Sequence, residues 1–190
     1  MLKSLASLLT PVGRLPALIG TLALGTLALW SGHRLWLELL PAFVWSCIAF
    51  AFARSLGEPQ SLFERLARLV DPRAPDFIAS YCRVFTILYV ALFVTNAATI
   101  AVLALGGAHA AWGWFSGVGA WVGLAVFQLA EFVARKLYFR HYGRNPVDRA
   151  FARLFPAEDT ARGRRSMAYL QGLAASDAAA QARSGAREPG

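Results

Sequence analysis

Four polar side chains interrupt long apolar stretches at spacings that could do chemistry: Arg83, Asn96, Glu131 and Arg135. An ionised group at the centre of a membrane helix costs about 2.5–3.5 kcal/mol on insertion scales, so it needs a partner, water or a position near the edge. Glu131 precedes Arg135 by four residues, the favourable order on one helix face. Arg83 stands at a similar depth in the preceding apolar run. A pair between Glu131 and either Arg83 or Arg135 is therefore expected. It could be a structural staple, or a site for a polar headgroup, a proton or an acyl substrate. Asn96, beside Thr95 and Thr99, calls for an interhelical hydrogen bond, and Gln128 is a partner of the right type.

No other constellation names a reaction. The three histidines are His33, His109 and His141. The first two fall at turns on one side, and two imidazoles are too few for a metal site. His141 and Asp148 lack the His-x4-Asp spacing of glycerolipid acyltransferases, and there is no P-loop, GxSxG or HExxH pattern. Cys47 and Cys82 form no CxxC and read as small apolar packing residues. Glu38 follows Arg34 by four residues, and a local pair accounts for it. Catalytic residues stay unassigned, no metal or cofactor is expected, and the chain reads as an accessory protein before it reads as an enzyme.

The elements that must carry these residues are membrane spans. The chain has 190 residues, 57% hydrophobic and only 16% charged, against about 25% charged in ordinary soluble domains. Residues 84–130 contain no Asp, Glu, Lys or Arg. A span needs about 20 apolar residues, so this run holds two, broken at Gly106-Gly107-Ala108-His109. The expected fold is all-α and polytopic, with four transmembrane helices at about residues 15–30, 35–53, 81–105 and 114–134. The first reads as a retained span rather than a cleaved signal peptide, because its apolar run is long and a second span follows closely. Gly113 with Gly117, and Gly119 with Gly123, fit GxxxG and permit close helix approach, including between copies of the chain.

Lys and Arg set the expected orientation. Lys3 and Arg14 precede the first span. Arg54, Arg65, Arg68, Arg73 and Arg83 mark the middle loop. Arg135, Lys136, Arg140, Arg144, Arg149 and Arg153 follow the last span, while the opposite side holds Arg34 alone. Both termini and the middle loop should then face the cytoplasm, in a bacterial inner membrane. Net charge of +8 is thereby explained without nucleic acid, for which no binding motif is present. Two short amphipathic cytoplasmic helices are expected. One is opened by a Ser61–Glu64 capping box and stopped before Pro72. The other spans Val147 to Phe155 and stops at Pro156. Each either lies on the membrane surface or packs against the other. Arg65, Arg68, Lys136, Arg140, His141, Arg149 and Arg153 are the candidates for contact with membrane lipids or a partner. Residues 1–156 form the expected membrane domain. Residues 157–190, rich in Ala, Gly, Ser and Arg, read as a disordered tail with at most a brief helix around Met167 to Ala175.

Two blocks carry a family resemblance: Tyr81-Cys82-Arg83-Val84-Phe85-Thr86 with Phe93 and Asn96, and Glu131 to His141, with Arg135, Phe139 and Arg140 inside it. Over residues 40–155 the chain resembles a family of small bacterial inner-membrane proteins. Its members are encoded among aryl polyene (xanthomonadin-like pigment) genes and related ketosynthase and acyl-carrier-protein genes. The family pattern has Trp where Tyr89 stands and a second basic residue where Val84 stands. The resemblance implies a pathway neighbourhood: an accessory protein that assists or localises synthesis of a lipid-linked aryl polyene or fatty-acyl product. It also implies acidic acyl carrier protein or ketosynthase as partners, drawn by long-range attraction to the basic face. A transporter or flippase component for that product is the alternative. A membrane acyl- or glycosyltransferase stands third, since it lacks an identifiable acid–base set.

Overall fold

The computed structural model describes residues 20, 22–23, 25–27, 30, 32–140, 142 and 146–185. Among these every regular element is helical. Three helices are long and apolar enough to cross a membrane: Arg34–Ser55, Asp76–Leu105 and His109–Phe139. They identify a membrane protein. The predicted first span is described only at scattered helical positions. Its remaining residues, with Lys3, Arg14, His141 and Arg144, lie outside the described residues.

The chain divides into two compact units, one ending at Ala125 and one beginning at Val126. The boundary falls inside a helix.

The first unit is built on an antiparallel pair, α1 (Arg34–Ser55) and α3 (Ala79–Leu105). Residues in these runs are apolar on nearly every side, as helices bathed in lipid require. Their contact face is aromatic. The Trp45 ring stacks on Phe93 at 5.5 Å, and Phe52 meets Tyr89 and Phe93 at 5.6 and 5.2 Å. Such pairs add about 0.5–1.5 kcal/mol beyond burial. Nearer the far end, Ala97, Ile100 and Ala104 are buried. Ser46 and Thr86 donate their hydroxyls to Ala42 and Cys82 carbonyls at 2.8 Å. Thr99 does the same to Thr95. At Gly20 a Cβ would meet the tip of the Phe43 ring, a contact that a shift of that side chain relieves.

A short helix, α2 (Leu62–Val70), lies between them. Ser61 caps it by accepting the Glu64 N–H at 3.3 Å, the first half of the predicted capping box. The second half differs, because the Glu64 carboxylate takes the Arg68 Nε–H at 3.0 Å instead. Ser55 Oγ accepts the Leu62 N–H at 2.9 Å and donates to the Phe52 carbonyl at 2.6 Å, tying the end of α1 to the start of α2. Phe63 packs on Tyr89 and Phe85 of α3, while Leu69 and Val70 at the end of α2 stay exposed.

α3 ends in a reversal. Gly107 adopts φ of +69°, a left-handed conformation that glycine reaches without a Cβ clash. The chain re-enters helix at once as α4 (His109–Trp114), passes a π-helical turn at Phe115–Gly119, and continues as α5 (Ala120–Phe139). The π-turn coincides with Gly117 and Gly119, where helical hydrogen bonding is easily reset.

The second unit contains the end of α5, α6 (Pro146–Leu154) and α7 (Ala161–Gly185). Residues 161–185, expected to be largely without structure, are helical. Thr160 caps α7 by accepting the Gly163 N–H at 3.1 Å. A Cβ at Gly163 would overlap the Ala157 carbonyl oxygen, so this close approach requires glycine.

Candidate functional site

Of the four residues expected in a polar seam, Arg83 and Asn96 belong to the first unit, Glu131 and Arg135 to the second. Arg83 donates to the Leu56 carbonyl at the end of α1. Asn96 is buried at 5% exposure, and its Nδ2 has no hydrogen-bond partner among the described residues. Glu131 is buried at 4% exposure, and its Oε1 lies 3.6 Å from Arg135 Nε. This is the expected pair one helical turn apart. Arg135 is half exposed, with its guanidinium 6.0 Å from the Phe132 ring.

The basic residues expected to meet lipid or a partner divide into two groups. Arg65 pairs with Glu58, and Arg68 bridges Glu64, the Ala74 carbonyl and Asp76. Glu64 first and Asp76 second hold the Arg68 guanidinium in its charged form, raising it above its ordinary value. Lys136 Nζ sits 2.6 Å from Asp148 Oδ1. Arg140 adopts φ of +49° and turns back onto the Pro156 carbonyl and Asp159. These four are clamps within the fold. Arg149 and Arg153 on α6 are exposed instead. The start of α7 adds exposed Arg162, Arg164 and Arg165, with Arg162 stacked 4.2 Å over Tyr138. The same unit turns Asp148 inward, while Glu158, Asp159 and Asp177 are exposed along with these arginines.

A second polar cluster was not foreseen in full. Glu38, one turn into α1, is 2% exposed. Its Oε1 is met by Arg34 Nε at 2.7 Å, as expected from spacing, and also by His109 Nδ1 at 3.0 Å. Its backbone carbonyl accepts the Trp112 indole N–H at 2.9 Å. The reversal at Gly107 sets α4 against the start of α1. The sequence hint was a carboxylate one turn inside an apolar helix, whose partner had to come from whichever turn shared its end of the bundle.

Between α1 and α3 runs a groove of about 630 Å³. Leu39, Phe43, Phe50, Val90 and Val94 line it, with small Ala residues and one hydroxyl, that of Ser46. Among the described residues no cluster of His, Cys, Asp or Glu could hold a metal ion. Compared with known protein families, curated proteins and solved structures, the chain has no match.

Proposed function

We propose that this chain is a four-span accessory protein of the bacterial inner membrane, with its termini and middle loop in the cytoplasm. In this reading it helps localise or assemble enzymes that build a lipid-linked aryl polyene or fatty-acyl product. The observation that carries the reading is the arginine face of the second unit. Arg149, Arg153, Arg164 and Arg165 are exposed while Asp148 is drawn inward by Lys136. Exposed Glu158, Asp159 and Asp177 are outnumbered there by arginine, and such an excess attracts an acidic macromolecule over roughly a Debye length, about 8 Å at physiological salt. Acyl carrier proteins and their ketosynthases are the partners that the resemblance implies. The apolar groove supports a hydrocarbon-handling role, since its lining offers contact to a chain and almost no polar competition.

The test is capture of carrier protein and ketosynthase by the detergent-solubilised protein at low and high salt. Salt-sensitive association with either is expected, and its loss on reversing Arg149 and Arg153 to Glu. Association with neither would overturn the reading. The second reading, a transporter or flippase component for the same product, is favoured by the groove. It requires that a Glu131→Gln variant assemble normally yet leave product on the inner side.

A further inference from the structure

The last turns of α5 and the start of α7 border a small pocket that neither the carrier-protein reading nor the groove uses. Its volume is about 320 Å³, and Ala134, Leu137, Tyr138, Thr160 and Arg162 line it. All five belong to the second unit. Ala134 and Leu137 give it an apolar side, and Thr160 and Arg162 a polar one. The exposed Arg162 guanidinium lies 4.2 Å over the Tyr138 ring. Such stacking fixes the plane of the fork and leaves its N–H edges for an acceptor. At the same end of α5, Arg135, Lys136 and Arg140 are each met by a carboxylate, from Glu131, Asp148 and Asp159 in turn. Among the described residues no carboxylate meets Arg162. Glu158, the other acid close in sequence, is exposed and forms no ion pair among them. The Thr160 hydroxyl accepts the Gly163 N–H at 3.1 Å, and no described acceptor takes its own proton. A hydroxyl carries one donor beside its lone pairs, so Thr160 can still donate.

Two donors of these kinds suit an acceptor-only group, and the guanidinium fork matches phosphate with two parallel bonds. Depth in the membrane selects the source of that phosphate. The candidate span His109–Phe139 has 31 residues, about 46 Å of helix at about 1.5 Å each. The hydrocarbon core is about 30 Å thick, and about 40–45 Å with the headgroup layers. The ends of such a helix therefore stand among headgroups, where tyrosine is favoured, and Tyr138 is one residue from this end. We propose that the pocket binds the phosphate of an anionic membrane phospholipid. Arg162 is the bidentate donor, Thr160 adds a second donor, and Ala134 and Leu137 meet the glycerol and the first methylenes. About 320 Å³ is small for a ligand pocket and suits a headgroup whose acyl chains stay in the bilayer. A lipid so held touches α5 and α7 together and keeps the start of α7 at the membrane surface. The inference goes beyond the carrier-protein reading and shares none of its arginines.

The experiment is a titration of the full chain, in non-ionic detergent, with phosphatidylglycerol, bound lipid being counted by native mass spectrometry. Saturable binding is expected. Arg162→Gln should weaken it by about tenfold or more, the scale of one lost charge-assisted hydrogen bond. Arg162→Lys keeps the charge without the fork and should weaken it by a smaller factor. It also carries the comparison alone if the glutamine variant does not assemble. Arg54→Gln changes an exposed arginine at the end of α1 and should bind like the unaltered chain. Glycerol 3-phosphate, added as competitor at the lipid concentration, should leave the lipid bound. Unchanged affinity in either Arg162 variant would overturn the site. An equal loss in Arg54→Gln would reduce it to diffuse attraction, and displacement by glycerol 3-phosphate would make the ligand a soluble phosphate. Capture of carrier protein is measured apart from all of these, so neither result decides the other.

Discussion

Lys136 Nζ lies 2.6 Å from Asp148 Oδ1, with 18% and 8% of the two side chains exposed. The pair joins the end of α5 to α6, and Lys136 also sits 5.6 Å over the Phe132 ring. Removing one partner leaves a largely desolvated charge, whereas replacing both by apolar groups does not. Asp148→Asn is expected to destabilise the second unit by about 2 kcal/mol, less than for a fully buried pair because Lys136 keeps some contact with water. The double change Lys136→Met with Asp148→Leu should recover most of that loss. Limited proteolysis between α5 and α7, compared across the three variants, checks both statements.

Arg68 holds three acceptors at once: Glu64 Oε1 at 3.0 Å, the Ala74 carbonyl at 3.2 Å and Asp76 Oδ1 at 3.0 Å. The planar fork of guanidinium suits that geometry, and a lysine ammonium cannot span it. Arg68→Lys should therefore cost about 1.5–3 kcal/mol, the range of one charge-assisted bond. Amide hydrogen exchange in residues 62–78 should rise in this variant while the core of α3 stays protected.

Tyr142 donates its hydroxyl to the Phe155 carbonyl at 2.7 Å. Burial pushes its phenol above the ordinary value of 10.0. The nearby Arg140 charge opposes that shift and Asp148 adds to it. The fold thus favours the neutral phenol. Its contribution is complete below the unfolded value, near pH 10, and is lost as pH rises through the higher folded value. Stability of the second unit should fall in that alkaline window, and the fall should be smaller in Tyr142→Phe. Tyrosinate absorbance followed beside thermal melts gives both quantities.

The exposed arginines make a prediction about rate. Reversing Arg149 and Arg153 to Glu should slow association with an acidic carrier protein by about tenfold or more at low salt, with a much smaller effect at high salt. Melting temperature should barely move, because both side chains are exposed. Stopped-flow association at two ionic strengths separates this steering from any change in the contact itself.

The long helices were legible because residues 84–130 lack charge and the Gly106–Gly107 break divides them. α1 likewise lies between Arg34 and Arg54. The Glu131–Arg135 and Arg34–Glu38 contacts were legible because helical spacing alone brings such residues together. His109 on Glu38 was not, since that contact depends on how a left-handed turn folds α4 back, and no local period encodes it. Several basic residues gain an internal acceptor on folding. Arg65, Arg68, Lys136 and Arg140 have the composition of a surface footprint, but each has an acidic or carbonyl acceptor within reach after folding. The stretch forming α7 was read by its low complexity. Alanine and arginine are also strong helix formers, and a Thr160 cap, with Gly163 admitting the Ala157 carbonyl, starts the helix.

Ser46, Thr86, Thr99 and Ser116 each donate their hydroxyl to a carbonyl on the preceding turn. Every one of these groups is therefore satisfied before any helix meets a neighbour. For these four hydroxyls each helix needs no neighbour in an apolar medium, whereas the buried Asn96 amide of α3 has no partner on its own helix. Insertion and assembly become separable events for these groups, and the aromatic face between α1 and α3 is left to decide which helices find each other.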